Sequence, residues 1–173
     1  MYFGDETTVR EFPPLRSSWS KRGEQAEVVI TGRNARRVLV GAIEIVTGKL
    51  VRVVRPRGRG QDIAEGIREL GEPRAGVPRL LILDNAPPHQ THVARDTAEA
   101  LKIEVMKLPF RSPELNPIED LWRALKRVVA ANRVYDTIDA LAQHATNYLD
   151  ALSPDDILRL SSLTSSKFQW LST

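Results

Sequence analysis

The chain has no cysteine, which excludes disulfides, thiolate zinc sites and cysteine nucleophiles. No apolar run approaches the length needed to span a bilayer. The start, Met1-Tyr2-Phe3-Gly4-Asp5, lacks a basic stretch followed by an apolar one. It is therefore not read as a secretory signal, and a cytoplasmic setting is expected. Internal repeats and low-complexity tracts are missing as well. Histidine is scarce. Of three residues, His89 and His92 stand in a His-x-x-His spacing and only His144 remains besides. Zinc binding is not favoured on so few ligands, and His89 is expected to hydrogen-bond near a site instead. Trp19, Trp122 and Trp170 read as packing residues. A length of 173 residues with 42% hydrophobic content suits one domain with a full core.

Net charge is only +3, but it is unevenly placed. Residues 33–59 hold eight basic side chains: Arg33, Arg36, Arg37, Lys49, Arg52, Arg55, Arg57 and Arg59. Their only acidic companion is Glu44, which leaves 17 basic and 21 acidic residues for the rest of the chain. Such a segment draws polyanions, nucleic acid first among them. The plainer reading is a solvated strand whose long cations guard a sheet edge.

The β-branched runs Val38–Ile45 and Leu50–Val54, joined by Thr47-Gly48-Lys49, predict a hairpin. Helical spacing of Ile63, Ile67 and Leu70 predicts a helix over 62–70. The run 79–83 reads as a buried strand, 91–102 as a helix and 103–108 as a further strand. The strongest helix is predicted over 117–131, through Ile118, Leu121, Trp122, Leu125 and Val128. Asn116 is placed at its N-cap and Pro117 at its first position. A second amphipathic helix is predicted over 137–152, and Ser153-Pro154-Asp155-Asp156 opens a short third. Strands alternating with helices after a hairpin argue for an α/β domain on a mixed sheet.

Three carboxylates stand out. Asp84 ends the apolar run Leu80–Leu83, Glu119 opens the strong helix, and Asp5 follows Tyr2-Phe3-Gly4. Carboxylates converging from strand ends and a helix start bind hard divalent cations, and paired ions of that kind catalyse in-line displacement at phosphate. Each also has a simpler explanation. Glu119 occupies the capping-box position relative to Asn116, Asp84 suits a turn, and Asp5 competes with Glu6. At 100° per residue Glu119 flanks the apolar stripe, whereas Asp120 and Arg127 are expected on the solvent side. Arg123 and Lys126 lie near Glu119, either as ion-pair partners or as phosphate contacts. With Arg52, Arg55, Arg57 and Arg59 they complete the candidate DNA-binding set.

Leu83-Asp84-Asn85 with His89, then Leu108-Pro109-Phe110-Arg111-Ser112-Pro113-Glu114-Leu115-Asn116-Pro117-Ile118-Glu119-Asp120-Leu121-Trp122 and Lys126, resembles the DDE transposases of the Tc/mariner superfamily. The bacterial insertion-sequence branch is the nearest in pattern. Asp84 and Glu119 are separated by 34 residues, the spacing of that group. Phe3-Gly4-Asp5-Glu6-Thr7 and, more loosely, Trp19 with Arg22-Gly23 extend the match. The resemblance implies a ribonuclease-H-like mixed β-sheet flanked by helices. Asp5 would lie on the central strand, Asp84 at the end of its neighbour and Glu119 on a following helix. It implies that these three hold two magnesium or manganese ions and catalyse DNA cleavage and strand transfer at transposon ends. It further implies a homodimer, a bacterial nucleoid-associated location and DNA as partner and substrate.

Residues 1–152 are expected to form the catalytic domain and 153–173 a C-terminal helix and tail. The family carries helix-turn-helix modules ahead of this domain, whereas Asp5 arrives four residues after the start. A separately encoded helix-turn-helix subunit, a truncated remnant and a misassigned start all fit. So few residues before Asp5 predict a short first strand, a mobile N-terminus and a loosely held Asp5. The alternatives in function are a same-fold nuclease or resolvase, and an inactive DNA-binding or dimerising remnant.

Overall fold

A computed structural model describes residues 1–12, 21–23, 34–72, 77–131 and 133–171. Arg33 and Trp19 fall outside them. Five strands form one sheet in the order β3-β2-β1-β4-β5. They are β1 (Tyr2–Arg10), β2 (Arg36–Glu44), β3 (Leu50–Arg55), β4 (Arg79–Leu83) and β5 (Ile103–Lys107). The hairpin β2–β3 and the pair β1–β2 are antiparallel, while β1–β4 and β4–β5 are parallel. The helices are α1 (Gly60–Arg68), α2 (His92–Ala100), α3 (Pro117–Val129), α4 (Ile138–Asp150) and α5 (Pro154–Leu160).

Alternation along the strands divides the core into two layers. On one face Val9, Leu39 and Ile43 pack with α3, α4 and Ile157 of α5. On the other, Val38, Val40, Val51 and Val53 pack with Ile63, Ile67, Ala94 and Ala98 of α1 and α2. The resulting helix–sheet–helix sandwich places β1 at the centre, with Asp5 on the α3 face.

Helix α3 is mounted firmly. Ile118, Leu121, Trp122, Leu125 and Val129 are each at most 1% exposed, and burying each such side chain contributes about 1.5–3 kcal/mol. Val129 takes the stripe position predicted for Val128, which is 40% exposed. The 3.6-residue period has rotated Val128 off the stripe by that turn. Gly41, directly across the ladder from Asp5, admits the Trp122 ring. A Cβ at Gly41 would stand 3.0 Å from Trp122 Cη2. The empty position beside Asp5 thus lets α3 settle close to β1, one turn from Glu119. Trp122 is core, whereas Trp170 is 52% exposed and tilts against Phe168.

The first strand is not short. All nine residues of β1 have partners on β2, from Tyr2 opposite Glu44 to Arg10 opposite Arg36. Asp5 lies mid-strand and is 8% exposed. The expected looseness counted only what precedes Asp5, while the ladder continues five residues beyond it through Thr7 and Val9, both buried. Hydrogen exchange should therefore find the amides of Phe3 to Val9 about as protected as those of β4. Fast exchange confined to residues 1–7 would contradict the ladder.

The second surprise is Asp120, expected in solvent and found 9% exposed. Its Oδ2 accepts from Lys167 Nζ at 2.7 Å and its Oδ1 from Arg123. Burial alone would raise this carboxyl, but the hydrogen bonds from Lys167, Ser162 and Arg123 outweigh it and hold the pKa below 3.8. A helical wheel of α3 cannot know that the segment 162–168 returns to cover that side.

Candidate active site

Asp5, Asp84 and Glu119 line one pocket of about 240 Å³. Asp5 reaches it from the centre of β1. Asp84 reaches it from just beyond β4, whose Ile82 pairs with Phe3. Glu119 reaches it from the first turn of α3. The Leu108–Pro113 loop forms the opposite wall, with Arg111 at φ 55° and Phe110 80% exposed at the rim. Arg111 is the one basic residue in that lining.

The capping explanation of Glu119 does not hold. Asn116 makes no side-chain cap to α3. Its Nδ2 donates instead to the Gly4 carbonyl, 3.1 Å away and next to Asp5, while its Oδ1 is buried without a partner among the described residues. This bond fastens the start of α3 to β1 and so sets Glu119 against Asp5. The turn explanation of Asp84 does hold, and it coexists with the pocket. Asp84 Oδ1 accepts from Ala86 N at 2.9 Å, and Asn85 Nδ2 clips to the Leu108 carbonyl at 2.5 Å.

Electrostatics mark Asp5. Burial, then the charges of Glu119 and Glu6, with a smaller push from Asp84, raise its carboxyl from 3.8 to about 8 against a lowering backbone hydrogen bond at Glu6. Without a cation Asp5 therefore carries a proton at neutral pH.

Behind Asp84 lies a relay that the sequence hinted at only through His89. The His89 side chain is 2% exposed, with Nδ1 2.7 Å from Asp84 Oδ1 and Nε2 2.7 Å from Glu6 Oε2. Burial works against its charge, but the Glu6 hydrogen bond and the Glu6 and Asp84 carboxylates prevail and push its pKa to about 9. Glu6, read from the sequence as a rival of Asp5, points to the other face of β1 and serves this imidazolium. Replacing His89 by Ala should leave two carboxylates without their shared donor. A cost of about 2 kcal/mol is expected, seen as a melting temperature lower by about 4–8 °C. An unchanged melt would remove the relay from the account. His92 is exposed on α2 beside Arg95 and does not share the His89 environment.

The basic candidates scatter. Arg52 pairs with Asp150 of α4 at 2.6 Å and Arg55 with Glu65 of α1, so they sit on opposite faces of the sheet, each with its own carboxylate. Arg123 is paired with Asp120, and neither it nor Lys126 lines the pocket. Arg57 and Arg59 are exposed on the loop after β3. Among the described residues no group of three His, Asp or Glu side chains is drawn together closely enough to hold a metal ion as it stands. No helix among them is long and apolar enough to cross a membrane.

Comparison with known proteins places this geometry. Residues 1–142 match the DDE superfamily endonuclease family. An uncharacterized 39 kDa protein of insertion element IS630 from Shigella sonnei is 29% identical over 162 residues, covering 89% of this chain and 46% of its own length. The transposase of transposable element Tc3 from Caenorhabditis elegans is 43% identical over 79 residues, covering 44% of this chain and 23% of its own. The chain thus spans less than half the length of either relative. Among solved structures, the Mos1 mariner paired end complex with Mn aligns over 98% of this chain and 53% of its own, at TM-score 0.73 and 16% identity. The catalytic domain of Mos1 mariner transposase aligns over 97% of this chain and 78% of its own, at TM-score 0.68 and 17% identity. The fold is ribonuclease-H-like, and the chain belongs to the DDE superfamily of endonucleases as a transposase catalytic domain of the Tc/mariner kind.

Proposed function

We propose that the chain performs metal-dependent DNA strand cleavage and strand transfer at transposon ends, with Asp5, Asp84 and Glu119 as the catalytic, metal-holding residues. One observation carries this reading: a carboxyl buried mid-strand in a sheet, sharing a pocket with two others, with its pKa raised by that burial and by neighbouring carboxylates. Such an arrangement is costly unless a cation relieves it. An all-oxygen donor set fits magnesium or manganese, and a rearrangement of these side chains around two ions is part of the proposal. When bound, the ions would activate a water or a DNA 3′-hydroxyl and stabilise the leaving oxygen. The protein's own part is to hold the carboxylates. The β1 ladder fixes Asp5, the His89 imidazolium and Ala86 N–H orient Asp84, and the Asn116 clasp seats Glu119.

Residues 1–152 form the catalytic domain in this proposal and 153–173 a C-terminal helix and tail, of which 153–171 pack onto it through Lys167 and Phe168. The chain acts on DNA at transposon ends and target, in the cytoplasm at the nucleoid. It works as a homodimer, with a helix-turn-helix module, on the same polypeptide or on another, for end recognition. The test is incubation of the 173-residue chain with supercoiled plasmid bearing the DNA that flanks its own coding sequence, in magnesium or manganese and in EDTA. Nicking that requires the metal supports the proposal. Absence of nicking under both metals, with the helix-turn-helix product supplied, overturns it.

A further inference from the structure

The basic segment divides into two classes. Arg37, Arg52 and Arg55 are each paired with a carboxylate of a packed helix, namely Asp139, Asp150 and Glu65. Arg36, Arg57 and Arg59 have no ion pair among the described residues, and neither does Arg10. All four are exposed. The unpaired four are also the ones that meet. They line an open groove of about 690 Å³ between the end of β1, the start of β2 and the loop joining β3 to α1, with Asn34 beside them.

Four guanidinium groups in one groove repel one another unless an anion joins them. Three carboxylates of the described residues on this side of the sheet have other partners. Glu6 is bonded to His89, Glu65 to Arg55, and Asp62 accepts from the Arg59 backbone N–H.

The loop is held close. A Cβ on Gly58 would stand 3.2 Å from Val38 Cγ1 and 3.8 Å from Glu6 Cγ, so the loop backbone lies tight against Val38 and in van der Waals range of Glu6, the residue that supports His89. The groove therefore adjoins the relay behind Asp84. Along β1, Arg10 lies five residues beyond Asp5, roughly 17 Å at strand rise, and by strand alternation on the opposite face of the sheet.

We propose that this groove, through Arg10, Arg36, Arg57 and Arg59, binds the phosphodiester backbone of duplex DNA at a place separate from the bond under attack. The inference rests on the DNA reading above and adds where the duplex is held. Guanidinium groups suit phosphate oxygens, and such contacts fix position without reading sequence.

Fluorescence anisotropy with a labelled duplex of arbitrary sequence, in EDTA, tests it. Four phosphate contacts give a slope of log affinity against log salt near −3.6. Arg57→Glu with Arg59→Glu should weaken binding at least tenfold at about 0.1 M salt and flatten the slope by about 2. Arg10→Ala with Arg36→Ala, a milder change that guards against misfolding, should flatten it similarly. Lys49→Glu with Lys102→Glu makes the same charge change as the first pair on exposed lysines outside the groove, and should weaken binding less than about threefold, since salt screens it. Equal losses for groove and control pairs, or unchanged binding in both groove pairs, overturn the inference. The assay needs no metal, so it separates from the cleavage test. Nicking without groove-dependent binding refutes the groove alone, and groove-dependent binding without nicking refutes the catalytic reading alone.

Discussion

Asp84→Asn and Glu119→Gln are each expected to reduce metal-dependent plasmid nicking by at least about a thousandfold, because in the proposed mechanism each removes a charged metal ligand. Folding should survive. An asparagine at 84 keeps an acceptor oxygen for Ala86 N–H and His89, and Glu119 caps nothing in α3. Melting temperatures should stay within about 4 °C of the parent, the equivalent of about 1 kcal/mol in a chain this size. Circular dichroism melts beside a nicking assay read both quantities. A variant that nicks normally would remove that residue from the site. One that unfolds would mark its carboxylate as structural.

Asp5 is expected to show itself in stability rather than activity. Its carboxyl titrates near 3.8 when unfolded and about 8 in the metal-free fold. Between those values the native state holds a proton that the unfolded chain has released, so stability falls as pH rises. Below about pH 4 both states are protonated and the contribution is complete; above about pH 8 it is lost. Asp5→Asn carries no such titration. In EDTA the variant should melt near the parent at pH 4–5 and about 4–8 °C above it at pH 8, for about 2 kcal/mol after relaxation. His89, raised to about 9, titrates in both proteins and cancels in the difference. Magnesium at pH 8 should raise the parent and not the variant. A gap independent of pH would show that Asp5 is ionised at no unusual cost.

Much of this was legible in the residues, and what escaped shares one cause. The run 79–83 gave β4 to the residue because a short apolar stretch bounded by prolines and Asp84 has few other places to go. Helix α3 announced itself through its stripe and Pro117. Their flanking motif singled out Asp84 and Glu119, which line one pocket. The missed features are partnerships across the chain. Asn116 looked like a cap, since a cap needs only its neighbours, yet its amide goes to Gly4, 112 residues away. Arg52 looked free for DNA, yet Asp150 waits on α4. Asp120 looked solvent-facing until the 162–168 segment returned over it. Local period and propensity carry no information about which remote group arrives. Glu6 was legible only as a carboxylate next to Asp5; strand alternation, once β1 was known to run to Arg10, would have sent it to the opposite face.

The Asn116 clasp frees the spacing of the carboxylates from contour length. The 34 residues between Asp84 and Glu119 contain α2, β5 and the proline-bounded loop, but the groups among them that hold the two carboxylates, Ala86, His89 and Asn116, lie near the two ends of that stretch and not in the α2–β5 connection. Asp84 is measured from β1 by strand pairing at Phe3, and Glu119 by a single amide at Gly4. Both rulers start within two residues of Asp5. Lengthening the exposed α2–β5 connection, at Lys102, would thus move neither. The motif can tolerate variable spacing there, provided that the strand and the asparagine are kept.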